Sequence, residues 1–494
     1  MRRRLAAAVV VSCLAVASCS TSGGSTGSSS KRTTTTVERE QTTTSADGDA
    51  PSPAGDPLPG DVPDRTFPGL GDPRIDVTHY GVTLRATPGD DEISGSVELD
   101  LRPRTKEPLT SFTLDLRGPK VTMAGVDGVR AKATTSNGQV TITPSSPIEP
   151  SAHAVVTLQY EGVPDQSEFP GWGMPVGWQS DDEGGWFTMS EPDGTATWVP
   201  VNDHPSDKAS WTIRIQVPKG VTAIANGRLK GGAPKPVEDG REQWTWVEEE
   251  PMASYLVLVA IGDYDLVTSE HGGIEVVRAF PTSLDEEDRA AFDPIEEIVD
   301  FFSSQFGAYP NDDAGAIVVP TGLGLALESQ TRPLFGTDGI AGDSAPALPH
   351  ELAHQWFGDA VSPASWTDVW LNEGFATYAD WMWDEHQGGR TVDEQAVRTA
   401  GLGPADDAAV RSTESAGTFS TSVYEGGALA LQALRRTVGD EVFFRIIRRW
   451  VAERDGTSAT TADFVALASD ESGRDLSGFF TEWLEQSPQP ALPG

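Results

Sequence analysis

The chain has 494 residues, and its 74 acidic against 36 basic side chains give a formal net charge of −38. A charge of this sign and size repels the phosphates of nucleic acid and the anionic headgroups of a membrane surface, so we expect neither as a direct partner. The length is sufficient for two sizeable cores, which predicts a multidomain protein.

The first 18 residues have the composition of a signal peptide for secretion. Arginines at positions 2 to 4 precede an apolar run over 5–14 that is too short to anchor the chain across a bilayer. The run ends in Val-Ala-Ser-Cys at 16–19, which resembles a bacterial lipobox, where cleavage exposes a cysteine for lipid attachment. We expect Cys19 to be lipidated and to tether the chain, outside the cytoplasm, to the outer face of the cell membrane. Ordinary cleavage after a small residue, with Cys19 incidental, is the alternative.

Residues 19–72 consist mainly of Ser, Thr, Gly, Pro and Asp, with hardly an aliphatic side chain. Such a segment cannot bury enough apolar surface to offset the entropy that is lost on ordering. We therefore expect a disordered linker that holds the folded part clear of the membrane. Because Cys13 and Cys19 are the only two cysteines, we expect no disulfide in the mature domains.

From residue 73 to 266, short stretches of alternating apolar and polar residues recur between Gly, Pro and Asp turns. Clear examples lie at 93–101, 111–116 and 154–160. A period of two residues is that of half-buried strands, so this part predicts an antiparallel β domain. Taken alone, such a domain would be a binding or spacer module.

The remainder, residues 267–494, begins as an α/β region and becomes mostly helical. The predicted elements are a helix over 284–306, a buried strand over 316–320, an exposed strand or loop over 325–330, and amphipathic helices within 423–450 and 460–483. Thr460 is placed to cap the last of these. The fold class is therefore a β domain followed by an α/β and α domain.

The run His-Glu-Leu-Ala-His at 350–354 carries the most specific chemistry of this region. Four helical residues rise about 6 Å and turn to within about 40° of a full circle, so His350 and His354 can bind the same metal ion. Glu351 lies roughly 100° round the helix, where a base that acts on a metal-activated water belongs. Such a run also occurs on solvated helices, and it would then carry no chemistry.

A catalytic zinc usually has three protein ligands, so one more has to be found. Glu373 follows His354 after 18 intervening residues, in the Asn-Glu-Gly-Phe-Ala run at 372–376. It lies in an apolar stretch over 366–383 that predicts a second helix, and a bound cation would offset the cost of burying its charge there. The alternative is a salt-bridge or capping residue. We predict one zinc ion per chain, held by His350, His354 and Glu373.

The two runs and the gap between them together resemble the aminopeptidase-N-like zinc metallopeptidases of the gluzincin clan. The resemblance covers about residues 73–485. It implies an N-terminal β-sandwich or saddle domain, a thermolysin-like and mostly helical catalytic domain, and hydrolysis of the N-terminal bond of peptide substrates. Many members continue into a further helical domain, for which this sequence has no residues after Gly494. We therefore expect a more open site.

The resemblance also implies roles for three side chains outside the metal set. Tyr424 matches a tyrosine that donates a hydrogen bond to the developing oxyanion, although a core tyrosine is commoner for a sequence alone. Glu328 matches a glutamate that binds the free amino group of the substrate, but its neighbours at 325–329 depart from the family's Gly-Ala/Gly-Met-Glu-Asn pattern. Glu191 matches a second carboxylate at the cleft edge, beside Met189 where the family has Gln; as plain sequence it reads as a turn residue.

Two further functions stay open. A zinc endopeptidase, or a broad oligopeptidase with an open cleft, would use the same metal chemistry and would accept blocked peptides. A surface lipoprotein that binds ligands through its β domain would carry the zinc site only as a vestige. The sequence sets neither the preferred N-terminal residue nor the oligomeric state.

Overall fold

The computed structural model describes residues 64–150, 152–168, 174–322, 324, 326–340, 347–403, 408–411 and 417–494. Among the helices of these residues, none combines the length and the apolar character that a membrane crossing requires. The predicted signal peptide, Cys19 and most of the predicted linker lie outside the described residues.

The first domain is built almost entirely of strands, several of which bury every second side chain. In the strand Ala209–Pro218, buried and half-buried residues alternate without exception, as a sheet with one covered face requires. The strands are β1 (Ile75–Arg85), β2 (Ile93–Pro103), β3 (Phe112–Asp115), β4 (Lys120–Val126), β5 (Val129–Arg130), β6 (Lys132–Ser136), β7 (Gln139–Thr143), β8 (Ala154–Gly162), β9 (Gln166–Glu168), β10 (Pro175–Ser180), β11 (Trp186–Met189), β12 (Ala209–Pro218), β13 (Thr222–Ala225), β14 (Arg228–Leu229), β15 (Lys235–Pro236), β16 (Arg241–Met252) and β17 (Val259–Gly262).

These strands form three sheets. The largest has the order β14-β16-β12-β1-β2-β8-β4-β5, with β15 beside β16; the others have the orders β13-β17-β11-β10-β9 and β3-β7-β6. The predicted β-rich first domain is confirmed. Its large sheet differs from the antiparallel expectation at one ladder, because β1 and β12 run parallel, with His79 opposite Ser210 and Arg85 opposite Gln216.

The second domain begins with a mixed sheet of order β18-β19-β20-β22-β21 and continues as helices. Its strands are β18 (Tyr264–His271), β19 (Ile274–Pro281), β20 (Asp313–Val319), β21 (Ala326–Leu327), β22 (Leu334–Gly336) and the separate pair β23 (Val361–Pro363) and β24 (Thr457–Ala459). Its helices are α1 (Glu286–Arg289), α2 (Ile295–Phe306), α3 (Leu348–His354), α4 (Trp370–His386), α5 (Val392–Leu402), α6 (Gly427–Val438), α7 (Asp440–Arg454), α8 (Thr461–Ser472) and α9 (Ser477–Leu484). Because β18 pairs with β19, the boundary predicted between residues 266 and 267 falls inside a strand of this domain.

Of two predicted helix features, one differs from the sequence pattern and one agrees with it. The helix predicted over 284–306 is interrupted, because α1 ends at Arg289 and α2 begins only after Pro294, whose ring nitrogen has no hydrogen to donate. The cap predicted at Thr460 is confirmed: its side chain accepts from the backbone N–H of Asp463, and the Asp463 carboxylate accepts from that of Thr460.

The last part of the predicted linker, residues 64–72, is packed on the folded domains. The Asp64 carboxylate accepts from the backbone N–H of Trp366 at 2.8 Å, and the Phe67 ring meets the Trp366 ring edge-on at 6.0 Å between centroids. Asp72 is buried and accepts from the backbone N–H of Thr113 at 2.8 Å. Residues 64–72 are therefore part of the folded structure, and the predicted linker end at residue 72 is wrong. Composition could not show this, because Trp366 and Thr113 are remote in sequence from the carboxylates that bind them.

The helices that carry the candidate metal ligands cross their neighbours closely. A Cβ atom at Gly374 of α4 would lie 2.8 Å from the Cα atom of Gly427, at the start of α6, so only glycine fits this crossing. Phe357, just beyond α3, stacks on Phe375 of α4 at 4.3 Å between centroids. The positions of α3, α4 and α6 relative to one another are thus fixed by direct contact.

Candidate active site

The two imidazoles and one carboxylate converge as the sequence predicts. The rings of His350 and His354 on α3 lie 4.8 Å apart between centroids. Oε2 of Glu373, on α4, lies 3.3 Å from Nε2 of His350 and 3.5 Å from Nε2 of His354. His354 and Glu373 are fully buried, and the His350 side chain keeps 12% exposure toward the cleft.

The other nitrogen of each ring has its own acceptor. Nδ1 of His354 donates to the carbonyl oxygen of Phe357 at 3.0 Å, and Nδ1 of His350 donates to Oδ2 of Asp380 at 3.1 Å. With these protons on Nδ1, both Nε2 atoms turn lone pairs toward Glu373. Two imidazole nitrogens and one carboxylate oxygen that face one another in a buried site form a ligand set that fits zinc.

The ionisation of the metal-free cluster follows from the same proximity. Burial disfavours charge on His354, but the Glu373 carboxylate overcomes this and raises the pKa of that imidazole to about 9. Burial also disfavours charge on Glu373, yet the two imidazoles lower its pKa to about 2. Protons therefore compete with a cation for the two Nε2 atoms, and metal binding weakens as the pH falls.

Glu351 is the next residue on α3 and is also buried. Burial raises the pKa of its carboxyl group to about 8, and the two imidazoles only partly counter that shift. A bound cation beside Glu351 would lower this pKa toward neutrality, where a carboxyl group can both take up and return a proton. Its position beside the metal ligands is that of the predicted base.

Tyr424 lies on a π-helical turn, Ser422–Gly426, directly before α6. Such turns insert one extra residue into a helix and are frequent at functional sites. The Tyr424 ring is half-buried and nearly parallel to the ring of His350, with 6.0 Å between centroids. Burial first, and then the charge of Glu373, raises the pKa of the phenol well above its usual value, so the hydroxyl remains a hydrogen-bond donor.

A group of three carboxylates overlaps the metal set, which consists of His350, His354 and Glu373. Glu191, Glu328 and Glu373 each place one carboxylate oxygen within 4.8 Å of the other two. Glu191 follows β11 of the first domain, and Glu328 follows β21 of the second. The exposure predicted over 325–330 is wrong for residues 326–330, which are buried or half-buried because β21 pairs with β22 beneath the cleft.

The two carboxylates outside the metal set, those of Glu191 and Glu328, make few hydrogen bonds among the described residues. Oε1 of Glu191 and Oε1 of Glu328 are buried and have no hydrogen-bond partner among the described residues. Burial raises the pKa of both carboxyl groups, and the negative charge of Glu328 adds to the shift at Glu191. A protonated amine between them would supply donors to these oxygens and would offset their repulsion.

All predicted site residues that the structure describes meet in this one cleft. They are Glu191, Glu328, His350, Glu351, His354, Glu373 and Tyr424. Sequence reasoning missed Asp380, although it lies seven residues after Glu373, two turns along the same helix face. It also missed Tyr255, whose hydroxyl donates to the carbonyl oxygen of Gly358 behind the metal helix, and no local pattern signals that contact.

Comparison with known proteins identifies relatives of both domains. The Peptidase M1 N-terminal domain matches residues 77–256, and the Peptidase family M1 domain matches residues 342–483. The chain is 25% identical over 326 residues to probable aminopeptidase 2 of Sulfurisphaera tokodaii and 26% identical over 461 residues to glutamyl aminopeptidase of Sus scrofa. These alignments cover 60% and 85% of this chain but 40% and 48% of the relatives, so the chain spans less than half of their length.

A solved structure matches nearly end to end. A crystal structure of an M1 zinc metallopeptidase from Deinococcus radiodurans superposes with a TM-score of 0.80 at 31% identity, covering 87% of this chain and 98% of that chain. A mutant of that metallopeptidase bound to a Tyr-Ser-Ala substrate superposes equally well, at 32% identity. Both domains match in order, and the metal-binding residues stand where the sequence predicts them. The chain therefore belongs to peptidase family M1.

Proposed function

We propose that the chain is a zinc-dependent aminopeptidase that hydrolyses the N-terminal peptide bond of peptides. One observation carries the proposal: the metal set and the carboxylate set share Glu373. The amino group and the first carbonyl carbon of a peptide are only two covalent bonds apart. Two sites this close suit the amine and the first peptide bond of one N-terminal residue.

The relatives support peptides as the substrate class. Two of them are named aminopeptidases, and the Deinococcus radiodurans metallopeptidase has been solved with a tripeptide substrate. The charge of the cleft agrees, because Glu191 and Glu328 each have a buried carboxylate oxygen without a hydrogen-bond partner among the described residues, and such oxygens favour a cationic amine over an anionic or blocked end.

The side chains divide the reaction between them. A zinc ion held by His350, His354 and Glu373 would polarise the scissile carbonyl group and lower the pKa of a water molecule. Glu351 takes the proton of the attacking water and passes it to the leaving nitrogen. Tyr424 donates a hydrogen bond to the carbonyl oxygen as negative charge develops there.

Substrate positioning falls to the carboxylates outside the metal set. Glu328 and Glu191 would hold the ammonium group of the first residue and so fix how far the chain enters the cleft. An acetylated peptide lacks that charge and leaves both carboxylates unpaired. Discrimination against blocked peptides is therefore the signature of an aminopeptidase at this site.

A pair of fluorogenic peptides of one sequence, with free and acetylated amino ends, tests the proposal. We expect release of the first residue from the free peptide and turnover of the acetylated one that is slower by about a hundredfold or more, since an unmet charge typically costs about 3 kcal/mol. A chelator should abolish the activity and added zinc should restore it.

Protein variants tested with the same two peptides identify the residue that causes the preference for a free amino end. Glu328→Gln should lower the ratio of kcat/KM for the free peptide to kcat/KM for the acetylated peptide, mainly because the KM for the free peptide rises. The exposed Glu270 provides the control, since Glu270→Gln should leave the ratio unchanged. Internal cleavage of the acetylated peptide at an equal rate would favour a zinc endopeptidase, and no cleavage of either peptide would favour a binding protein.

We also propose that a lipid on Cys19 tethers the chain to the outer face of the bacterial membrane. The support is the basic start, the short apolar run and the Val-Ala-Ser-Cys pattern at 16–19. With labelled palmitate, the wild-type chain should take up label and sediment with membranes, whereas Cys19→Ala should do neither. Equal labelling and partition of the two chains would refute this anchor.

A further inference from the structure

A buried hydroxyl of the β domain contacts both the turn after α3 and the start of α4, the two helices that carry the metal ligands. Tyr255, in the 3-10 turn Ser254–Leu256, is 2% exposed. Its hydroxyl donates to the carbonyl oxygen of Gly358 at 2.8 Å and accepts from Nδ2 of Asn372 at 3.2 Å. Gly358 follows α3 by four residues, and Asn372 directly precedes the metal-binding glutamate of α4. One oxygen atom therefore joins the two metal-binding elements.

The turn that Tyr255 holds is in direct contact with a metal ligand. The residue before Gly358 provides the carbonyl oxygen that accepts from Nδ1 of His354. Gly358 has φ +125°, a conformation that favours glycine. A Cβ atom there would lie 3.0 Å from Nδ2 of Asn372 and 3.4 Å from Nδ1 of His354. Because the carbonyl group of Phe357 in this turn is hydrogen-bonded to the imidazole, a displaced turn would move the imidazole.

A second group of the β domain contacts the same loop. Nζ of Lys208 donates to the carbonyl oxygens of Asp359 at 2.5 Å and Ala360 at 2.9 Å. The β domain thus contacts the chain that leaves α3 through the neutral hydroxyl of Tyr255 and through the charged amine of Lys208. The Tyr255 contact also reaches α4, through Asn372.

We propose that Tyr255 is a positioning residue for the metal site, through which the β domain fixes the separation of α3 and α4. It touches neither the substrate nor the reacting atoms, and it acts through Gly358 and Asn372. Groups that orient metal ligands from outside raise metal affinity by limiting the geometries that the ligands can adopt. The inference rests on the metal site of the proposed function.

Zinc affinity of the full-length chain, measured by competition with a chromophoric chelator, tests the proposal. Tyr255→Phe keeps the ring and removes the hydroxyl, and we expect zinc binding about tenfold weaker or more. Tyr160→Phe is the matched control, because the Tyr160 hydroxyl in the same domain is equally buried and has no partner among the described residues. Its zinc affinity should equal that of the wild type.

The other end of the contact provides an independent arm. Asn372→Ala removes the donor on α4 and should also weaken zinc binding, so it replaces Tyr255→Phe if that variant yields too little folded protein. The double variant should bind zinc no more weakly than the single variant with the larger loss, because both substitutions break the same contact between Tyr255 and Asn372.

Three results would overturn the proposal: wild-type zinc affinity in Tyr255→Phe, an equal loss in Tyr160→Phe, or additive losses in the double variant. No peptide enters this assay, so its outcome is separate from the proposed activity. A chain that binds zinc normally and cleaves no peptide would refute the aminopeptidase function and leave the role of Tyr255 intact.

Discussion

His350 and His354 face the same side of α3 because four residues make nearly one helical turn, and this period can be read from the sequence. Their Nδ1 partners cannot be read in the same way. One partner is a backbone carbonyl oxygen, and the other is Asp380, which reaches His350 only because α4 packs against α3. Pattern reasoning therefore found the metal ligands and missed one of the groups that orient them.

The role of Glu351 predicts a clear separation of metal binding from turnover. Glu351→Gln keeps the shape of the side chain but cannot take a proton, so kcat should fall by at least about a thousandfold. Zinc content, measured on the same preparation, should stay at the wild-type level. Turnover within about tenfold of the wild type would remove Glu351 as the base.

Tyr424→Phe tests the hydroxyl of the π-helical turn. Loss of one donor to a developing oxyanion typically lowers kcat by about a hundredfold or more, with little change in KM. Tyr378→Phe is a suitable control, because the Tyr378 hydroxyl donates to Oε1 of Gln432 at 2.8 Å, between α4 and α6. Steady-state kinetics that show equal losses in both variants would assign Tyr424 to core packing instead.

At the scale of the elements, residue periods identified strands and helices but not their partners. The alternation in β1 and β12 marks both as strands, yet their parallel pairing joins segments that are remote in the chain. The same holds for Glu328, which the sequence places on an exposed loop and the pairing of β21 with β22 places under the cleft. Burial of this kind depends on which element packs above, a fact that no local pattern contains.

The loop after the first-domain 3-10 turn Gly194–Thr197 contains two buried acids. Burial raises the pKa of Asp203 to about 8 and that of Asp207 to about 7. Oδ1 of Asp203 accepts from the Ser254 hydroxyl at 2.6 Å, next to the turn that carries Tyr255. The folded chain therefore holds protons that the unfolded chain releases at lower pH.

This difference predicts how stability depends on pH. For Asp203, whose usual pKa is 3.8 and whose folded value is about 8, the free energy of unfolding falls as the pH rises through that interval. Asp203→Asn is neutral throughout, so urea unfolding between pH 5 and pH 8 should show a fall that is smaller by on the order of 1 kcal/mol or more. The exposed Asp91 provides the control, as Asp91→Asn should keep the wild-type dependence. An unchanged dependence in Asp203→Asn would contradict the assignment.

At the scale of the whole molecule, the cleft is assembled from both domains. Glu191 comes from the β domain, Glu328 from the edge of the mixed sheet, and the metal ligands from α3 and α4. The change of residue period along the chain predicted the order of the two domains. It could not predict that Asp64, 302 residues before Trp366, binds the second domain, because composition carries no information on distant partners.

The central claim is that His350, His354 and Glu373 hold one zinc ion in the folded chain. Elemental analysis of purified, untagged protein tests it most directly, with His354→Ala as the comparison and circular dichroism as the check on folding. We expect one zinc ion per wild-type chain and a large loss in His354→Ala at unchanged secondary structure. Folded wild-type protein without stoichiometric metal, or a His354→Ala variant with the full zinc content, would contradict the account.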